Sequence, residues 1–436
     1  MKIAIYTLGC KVNQYETQAL EAEALRRGHV LVPFSAQAEA YIINTCTVTA
    51  VSDHKSRQAI RKAQKNAPTA VVAVCGCYGQ TDPEAVAALE VDLVAGTGDR
   101  MAFLDQVERL AQNKKKEPSP CLVDDVMARR NFEFLPAGGL SGRTRAMLKV
   151  EDGCVNFCSY CIIPYARGPI RSLPLCDAVS EAKRLADEGF RELVITGIEI
   201  SSWGSDLQDG TALIDLMEAI SAAAPTLRLR LGSLEPRTIT EDFCRRAAAL
   251  PNLCPHFHLS LQSGCDTVLK RMNRKYDTDR YFQSVSLLRD TFQNPGITTD
   301  LIVGFPGETE EEFDQTLRFV TKCGFSALHI FPYSRRPGTP ADRMEGQCSN
   351  AVKENRAHRA AAVAKRLEAA YLEGLVGTTQ TVLFETVENG LFRGHAGNYT
   401  EIFVPGQLLH NQTRQVAVTK LQDGKLLGSL LNEEVC

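Results

Sequence analysis

The sequence contains no run of about 18 consecutive apolar residues, the length that a membrane-spanning helix requires. Its first residues, MKIAIYTLGC, form a short alternating apolar run with one lysine, without the long apolar segment and the cleavage site of a secretory signal. It also lacks a strong charge of either sign, and a net charge of −3 neither indicates nor excludes a polyanionic partner. We therefore expect a cytoplasmic protein with no membrane association.

Cysteine is present at low density. Fifteen cysteines in 436 residues lie far below the density of a small disulfide scaffold. In a reducing compartment, cysteines that do cluster indicate metal binding or catalysis. The length favours about three domains.

Short apolar runs alternate with helical patterns over residues 1–112, which predicts an α/β domain with a parallel sheet and crossover helices. The polar run NKKKEPSP follows, and we assign residues 113–143 to a linker. Six further strand and helix units predict a second α/β domain over residues 144–370. Periodicity alone leaves open whether those six units close into a partial barrel or lie in a flat sheet. Five short strands over residues 372–436 predict a small all-β barrel of the oligonucleotide-binding kind.

The segment CVNFCSYC places Cys154, Cys158 and Cys161 within eight residues. Thiolates are the soft ligands of zinc and of iron-sulfur clusters. A closed zinc site needs four ligands, whereas the next cysteine is Cys176 and no histidine lies between residues 55 and 255. Three thiolates on an iron-sulfur cluster would leave one iron open to a substrate or cofactor. The alternative is chance packing of three cysteines.

Three other cysteines, Cys10, Cys46 and Cys77, each lie at the carboxyl end of a predicted strand in the first domain. Because those ends converge on one edge of a parallel sheet, the three thiols could meet in space. Burial by chance is the alternative, since cysteine is a small and often buried residue. Cys75 has the same strand parity as Cys77 and could compete with it.

The chain resembles a known family in ordered segments. Cys154, Cys158 and Cys161, with Tyr160, resemble the cluster motif of radical S-adenosylmethionine (SAM) enzymes, whose fold is a partial barrel of six units. Segments in family order and spacing resemble the methylthiotransferases, and the terminal barrel resembles their TRAM module. The quoted segments are GCKVNQYE, INTCTVT, GCYGQ, KVEDGCVNFCSYCIIPYARG, RLRLGSLEPR, HLSLQSG, RMNRKY, DLIVGFPGET and FPYSRRPGTPA.

Within that family, GCKVNQYE and NTCTVT most resemble the branch that modifies N6-threonylcarbamoyladenosine at position 37 of tRNA. The resemblance implies two [4Fe-4S] clusters, one held by Cys10, Cys46 and Cys77 and one by Cys154, Cys158 and Cys161. It implies two roles for SAM, as methyl donor and as source of the 5′-deoxyadenosyl radical, and a methylthio group added at C2. Isopentenyladenosine in tRNA and an aspartate of a ribosomal protein are the rival substrates within the family.

The partners that the resemblance implies are the tRNA anticodon loop, with lysine tRNA as its suggested source, a sulfur donor, and an electron donor such as flavodoxin or ferredoxin. A protein of another class, a two-cluster electron-transfer or iron-sensing protein, is the wider alternative. That alternative predicts fully ligated clusters, whereas both sets lack a fourth cysteine.

Residues near the ends of the barrel strands are candidate SAM contacts, because strand ends face the site in such barrels. Turn or rim positions without a ligand are the alternative for each. The candidates are Tyr160, Gly197, Glu199, Ser233, Glu235, Gln262 and Asp300.

Candidate RNA contacts flank the cluster motif, occupy a later loop and lie in the terminal barrel, although ordinary solvated surface is the alternative for each. The terminal barrel is not basic, with seven acidic residues against four lysines and arginines over residues 372–436. A minority face would therefore have to grip RNA. The candidates are Arg167, Arg171, Arg335, Arg393 and Tyr399.

Overall fold

A computed structural model describes residues 1–112, 120–136, 143–406 and 408–431. The N-terminal domain is a six-stranded parallel sheet in the order β2-β1-β3-β4-β5-β6, with helices on both faces. Two apolar cores, one on each face, make it an α/β sandwich. Its elements are β1 (Lys2–Thr7), α1 (Lys11–Arg26), β2 (Val30–Leu31), β3 (Ala40–Thr45), α2 (Ala50–Asn66), β4 (Val71–Gly76), α3 (Cys77–Thr81), α4 (Pro83–Ala87), β5 (Leu93–Ala95), α5 (Arg100–Gln112) and β6 (Cys121–Leu122).

The segment predicted as a linker is partly folded into this domain. Cys121 and Leu122 pair with Val94 and Ala95, so β6 extends the sheet, and a short 3-10 helix follows at Val126–Ala128. Residues 113–119 and 137–142 of the predicted linker lie outside the described residues. Residues 113–120 are polar, and a strand of only two residues directly after them gives no alternating pattern, so β6 was not predicted.

The central domain is a partial barrel of six parallel strand positions. Its strands form two four-stranded sheets, β10-β9-β7-β8 and β11-β12-β13-β14, and only Gly232 separates β10 from β11. The run from Arg228 to Leu234 therefore belongs to both sheets and joins them into one open barrel. The six units therefore form a partial barrel and not a flat sheet, a choice that periodicity had left open.

The strands of this domain are β7 (Arg145–Asp152), β8 (Arg171–Ser172), β9 (Glu192–Gly197), β10 (Arg228–Leu231), β11 (Ser233–Leu234), β12 (His256–Leu259), β13 (Gly296–Val303) and β14 (Ala327–Pro332). The short β8 runs antiparallel to β7. The helices are α6 (Ile163–Arg167), α7 (Leu175–Asp187), α8 (Leu213–Ala223), α9 (Glu241–Ala248), α10 (Asp266–Arg271), α11 (Thr278–Thr291), α12 (Glu310–Cys323) and α13 (Asn350–Glu373).

The C-terminal domain is a closed five-stranded barrel in the order β15-β16-β17-β19-β18. Tight turns at Asn389-Gly390 and Asp423-Gly424 have positive φ at both residues, which is the geometry of a hairpin turn that matches strand twist. Its strands are β15 (Thr379–Glu388), β16 (Leu391–Ala396), β17 (Glu401–Val404), β18 (Thr413–Gln422) and β19 (Lys425–Leu430). Within the described part of the chain, no helix is both long and apolar enough to cross a membrane.

The C-terminal barrel docks on the central domain through Tyr399. The Tyr399 ring stacks against His256 at 4.8 Å and His395 at 4.9 Å between centroids, and the Arg230 guanidinium lies 4.7 Å from the ring centroid. Arg230 also donates to the carbonyl of Gly397 at 2.9 Å. Because His256 begins β12, this contact covers the amino-terminal end of the barrel strands, opposite the end where ligands bind.

Replacing Tyr399 by alanine should loosen this interface without unfolding either domain. The change removes two ring contacts and the cation-π contacts of Arg145 and Arg230, together about 2 kcal/mol. Hydrogen exchange should quicken at amides of β16 and β17, whereas Val387→Ala, at a residue 58% exposed on the same barrel, should leave those amides unchanged. Unaltered exchange in Tyr399→Ala would show that the stacking does not hold the interface.

Candidate active site

Cys10, Cys46 and Cys77 follow three neighbouring strands of the N-terminal sheet. Cys10 precedes α1 directly after β1, Cys46 follows β3, and Cys77 opens α3 after β4. Because β1, β3 and β4 are neighbours in the sheet, the three residues lie at its carboxyl edge, and a Cβ on Gly9, the residue before Cys10, would lie 3.0 Å from the sulfur of Cys46. Adjacent strand ends bring together residues that are 36 and 31 positions apart in sequence.

Glycines make this convergence possible. Gly9 has a φ of +109°, and a Cβ there would lie 2.8 Å from the Cβ of Cys46. Gly76 has a φ of +99°, and a Cβ there would lie 2.5 Å from the carbonyl oxygen of Thr45. Only glycine tolerates both the conformation and the close approach. The residue before Cys10 and the residue before Cys77 therefore let the two loops close on Cys46.

Cys75 does not share this location. It packs in the apolar core on one face of the sheet, beside residues such as Ile42 and Phe103, and burial raises its pKa to about 11. Cys75 lies within β4, whereas Cys77 follows the end of that strand, as Cys46 follows the end of β3. The geometry thus favours Cys77 over Cys75 as the third thiol of the set.

Cys154, Cys158 and Cys161 lie on a loop that is pinned at several points. Gly153 has a φ of +97°, and the amide of Cys154 donates to the carbonyl of Gly168 at 3.0 Å. Ser159 donates from its amide to Met272 and from its hydroxyl to the carbonyl of Arg271. These bonds hold the loop rigidly after β7.

A cation already faces this loop. Arg274 Nη1 lies 3.2 Å from the sulfur of Cys158, and its Nε donates to the hydroxyl of Tyr276 at 2.9 Å. Desolvation nevertheless raises the pKa of Cys154 and of Cys161 to about 12. These thiols therefore need a further positive group before they ionise, which a thiolate-bound metal centre supplies.

The donor chemistry of both sets fits an iron-sulfur cluster. Burial raises the pKa of Cys77 to about 12 and raises that of Cys46, so the first set also needs a cationic centre to become thiolate. In the part of the chain that the structure describes, neither set brings its three sulfur atoms within 4.8 Å of one another, the spacing expected for ligands of a single ion. Three soft donors at wider spacing suit a multinuclear sulfide cluster.

A cavity of about 230 Å³ lies between the cluster loop and the segment that follows Cys46. Cys161 bounds it on one side, and Val48, two residues after Cys46, bounds it on the other. Its walls are mostly apolar. The remaining lining residues are Thr49, Tyr160, Ile162, Ile163, Gln262, Asp300, Ile302, Phe331, Pro332, Tyr333 and Ser334.

Three of the candidate SAM contacts line this cavity: Tyr160, Gln262 and Asp300. Gln262 adopts a φ of +69°, a conformation that costs about 1 kcal/mol or more for a side-chain-bearing residue. Its amide donates to the carbonyl of Asp300 at 2.9 Å, and its carbonyl accepts from Ile302 at 2.9 Å. The strand β13 thus holds Gln262 in a strained conformation at the cavity wall.

The other strand-end candidates lie near the cluster loop but outside the cavity lining. Glu199 accepts from the hydroxyl of Ser202 at 2.6 Å, and its amide donates to the buried carboxyl of Glu151 at 2.7 Å. Burial raises the pKa of Glu151 well above its usual range and raises that of Glu199. Gly197 packs against Glu151, with 2.8 Å between its would-be Cβ and the carbonyl.

On the next strand, Ser233 is exposed, whereas Glu235 is buried and pairs with Arg237 at 3.0 Å. Glu235 also begins a short 3-10 helix by accepting from the amide of Arg237. A local role therefore accounts for the carboxylate of Glu235, and its contact with SAM stays a prediction, as does that of Ser233.

Two of the candidate RNA contacts are buried. Arg167 is 0% exposed, and it donates to Glu16, 3.2 Å from Nη2, and to the side chain of Asn13 at 2.7 Å. Arg171 is 3% exposed and donates to the carbonyls of Arg167 and Pro169. Burial of both guanidiniums does not fit a direct contact with RNA. Arg167 joins the central domain to the first domain, whereas Arg171 donates within the central domain.

The other three differ among themselves. Arg335 is exposed and pairs with Asp342 at 3.0 Å, and Arg393 is partly exposed and pairs with Glu401 at 2.8 Å. Tyr399 stacks on His256 and His395, and 37% of the residue remains exposed. The contact of Tyr399 with RNA stays a prediction, since its ring also attaches the terminal barrel to the central domain.

The sequence alone did not identify Glu16 as the centre of a buried charge network. Its carboxylate receives Arg100 at 2.7 Å and Lys149 at 3.3 Å in addition to Arg167, and Lys149 also pairs with Asp152 at 3.1 Å. Burial opposes the charge of Glu16, but the surrounding cations hold its pKa well below its usual range. The signal that could have identified it is its place in GCKVNQYE, six residues after Cys10.

A second arginine joins the domains beside Cys46. Arg336, which follows β14, donates to Asp53 at 2.6 Å and to the hydroxyl of Thr47. Thr47 is the residue after Cys46. The central domain therefore contacts the first domain on both sides of this cysteine set. Arg167 binds residues of the helix after Cys10, and Arg336 binds residues that follow Cys46.

Comparison with known families matches two regions of the chain. Residues 148–320 match the radical SAM superfamily, and residues 2–96 match a family described as uncharacterized protein family UPF0004. The first region contains the CVNFCSYC loop, and the second contains Cys10, Cys46 and Cys77. The two cysteine sets thus belong to two separately recognised domains.

Curated relatives align over most of the chain. The threonylcarbamoyladenosine tRNA methylthiotransferase MtaB of Bacillus subtilis is 39% identical over 93% of this chain and 90% of its own. The protein of the same name from Thermotoga maritima is 36% identical over 94% and 92%. The tRNA-2-methylthio-N(6)-dimethylallyladenosine synthase of Alkaliphilus oremlandii is 33% identical over 82% and 76%.

Solved structures resemble the fold. The radical SAM methyltransferase TsrM of Kitasatospora setae, with tryptophan and a SAM analogue bound, superposes with a TM-score of 0.58 at 16% identity, covering 84% of this chain and 89% of that one. The cobalamin-dependent radical enzyme OxsB superposes with a TM-score of 0.53 at 9% identity, covering 84% and 56%. At these identities the likeness is one of fold.

Replacing Arg167 by glutamine should destabilise the protein by about 3 kcal/mol or more, because it leaves part of a buried charge network unpaired. The double variant Arg167→Gln, Glu16→Gln should lose less than the sum of the two single losses. Urea unfolding of the four proteins measures this coupling. Arg335→Gln, at an exposed pair, should cost under about 1 kcal/mol. Strict additivity of the Arg167 and Glu16 losses would contradict the pairing.

Proposed function

The chain belongs to the radical SAM methylthiotransferase family, and from this we propose that it adds a methylthio group to C2 of N6-threonylcarbamoyladenosine at position 37 of tRNA. The proposal includes a [4Fe-4S] cluster on each cysteine set and SAM in two roles, as methyl donor and as radical source. It rests on the relatives that share both matched domains and on a cavity bounded by Cys161 and by Val48, two residues after Cys46.

The single observation that carries the proposal is the cavity between Cys161 and Val48. Each cysteine set offers three thiols, so each bound cluster would keep one iron open toward added ligands. A protein that only moves electrons gains nothing from two open irons facing one chamber. A substrate atom placed in that cavity would lie beside Cys161 and next to the segment that follows Cys46.

The reaction itself needs cofactor chemistry. The C2 hydrogen of adenine is neither acidic nor attached to a leaving group, so side-chain acids and bases have no direct means of replacing it. When bound, the clusters and SAM supply the carbon radical that removes this hydrogen and the methylated sulfur that takes its place. The protein's part is to bind, orient and exclude water.

This chain's residues suit those tasks. Gln262 places a side-chain amide at the cavity wall, where it can orient the hydroxyl groups of the SAM ribose. Phe331 and Ile302 provide apolar wall that excludes water and can pack against an adenine ring. Tyr160, beside Cys161, forms part of the cavity wall next to the loop that would hold the cluster.

An exposed apolar surface beside the cluster loop suits a splayed anticodon loop. Val155, Phe157 and Tyr165 are 50%, 37% and 43% exposed, and the two rings lie 5.7 Å apart. Unstacked bases of a single-stranded loop stack on such rings. Arg335 and Arg393 remain the candidate contacts to phosphate, with lysine tRNA as the suggested partner.

Deleting the gene in its own organism should abolish 2-methylthio-N6-threonylcarbamoyladenosine in total tRNA and accumulate the unthiolated precursor. Nucleoside mass spectrometry measures both species, and the intact gene should restore the product. A variant with Cys158→Ala should fail to restore it. An unchanged level of that nucleoside, with loss of the isopentenyl counterpart, would move the substrate to the other tRNA branch.

Iron analysis of the anaerobically reconstituted protein should separate the two cluster sites. We expect about eight iron atoms in the native chain and about four in either Cys77→Ala or Cys158→Ala. Cys77→Ala should still cleave SAM to 5′-deoxyadenosine, and Cys158→Ala should not. The matched control Cys75→Ala should keep the full iron content. Loss of iron in Cys75→Ala without loss in Cys77→Ala would reassign the third thiol.

A further inference from the structure

Three polar side chains on neighbouring barrel strands form a cluster that the proposed chemistry does not use. His258 of β12, Asp300 of β13 and His329 of β14 bring their ligand atoms within 4.8 Å of one another. His258 Nε2 and Asp300 Oδ2 are 3.3 Å apart, and the two imidazole centroids are 5.8 Å apart. The cluster offers hydrogen-bond donors and acceptors at one spot.

Strand register places this cluster inside the barrel, directly beside the cavity. Asp300 and His329 are paired positions of β13 and β14, and the next pair on the same face is Ile302 and Phe331. Ile302 and Phe331 line the cavity, as does Asp300. Since side chains alternate along a strand, the cluster forms the next layer of the same inner surface.

The cluster is held in place on one side and open on the other. His258 Nδ1 is 2.9 Å from the hydroxyl of Thr298, so this contact and the contact with Asp300 fix the His258 ring. His329 is exposed toward the interior space, and within the described part of the chain its ring makes no hydrogen bond. An oriented imidazole and carboxylate beside an available imidazole constitute an incomplete polar site.

We propose that His329, His258 and Asp300 bind the polar substituent on N6 of the substrate adenosine, an inference that rests on the proposed function. The threonylcarbamoyl group carries a carboxylate, a hydroxyl and ureido N–H groups. Imidazole N–H can donate to the carboxylate, and Asp300 can accept from the hydroxyl or the ureido N–H. The cluster thus supplies a partner for each kind of polar atom in that group.

The same cluster discriminates against the rival tRNA substrate. An isopentenyl group has no polar atom, so its entry would strip water from His329 and Asp300 without replacing the lost hydrogen bonds. A site built around hydrogen bonds rejects an analogue that lacks them far more strongly than an apolar pocket rejects an added methylene. We therefore assign to this layer the choice between the two modified adenosines.

The test measures binding of anticodon stem-loop RNA to the reconstituted protein by fluorescence anisotropy, with RNA that carries threonylcarbamoyladenosine or unmodified adenosine at position 37. His329→Phe should weaken binding of the modified RNA about tenfold and leave binding of the unmodified RNA unchanged. His329→Gln, which keeps an N–H donor, should recover part of the loss. The control His358→Phe, at an exposed position of α13, should change neither affinity.

Equal weakening for both RNAs, or none for either, would overturn the inference. A metal ion other than the iron of the two iron-sulfur clusters, present in the native protein and lost in His329→Phe, would also overturn it. His258, Asp300 and His329 would then form a metal-ion site. If the native protein methylthiolates isopentenyladenosine instead, the proposed function fails first. If it acts on threonylcarbamoyladenosine and His329→Phe does so with unchanged KM, only the inference fails.

Discussion

The buried Glu16 carboxylate holds the two halves of the active site together. Glu16 lies on α1, the helix after Cys10, and it pairs with Arg167, which follows the CVNFCSYC loop. One ion pair therefore joins the segments that carry Cys10 and the second cysteine set. A charge this deeply buried is stable only while its partners stay in place. Any relative shift of the first two domains would therefore carry the cost of an unpaired charge, and this constraint favours one relative position of the two domains.

The remaining architecture serves that arrangement from a distance. Glycines at positions 9, 76 and 153 allow the cysteine loops to approach neighbouring atoms more closely than a residue with a side chain could. Arg336 adds a second tie beside Cys46, and Tyr399 attaches the terminal barrel at the far end of the strands. The reactive end of the barrel is thus left open on the side where His329 and Phe331 face the interior.

Sequence reasoning succeeded where one local pattern decides the outcome. Cysteines directly after strands were expected to converge, and Cys10, Cys46 and Cys77 do so because parallel strands end on one edge. It failed for Arg167 because its partner, Glu16, lies 151 positions away, and an arginine beside a cluster motif is as easily a surface residue as a buried one. Strand alternation could have placed His258 and His329 inside the barrel, but their proximity follows from the register of β12, β13 and β14, which sequence does not display.

We propose above that the C2 hydrogen of the modified adenosine is exchanged for a methylthio group in the cavity between Cys161 and Val48. The most direct measurement uses anticodon stem-loop RNA with deuterium at C2 of the threonylcarbamoyladenosine, followed by mass spectrometry of the 5′-deoxyadenosine formed by the reconstituted protein. The account predicts deuterium in that product together with a methylthio group on the RNA. Methylthiolated RNA accompanied by 5′-deoxyadenosine without deuterium would contradict it.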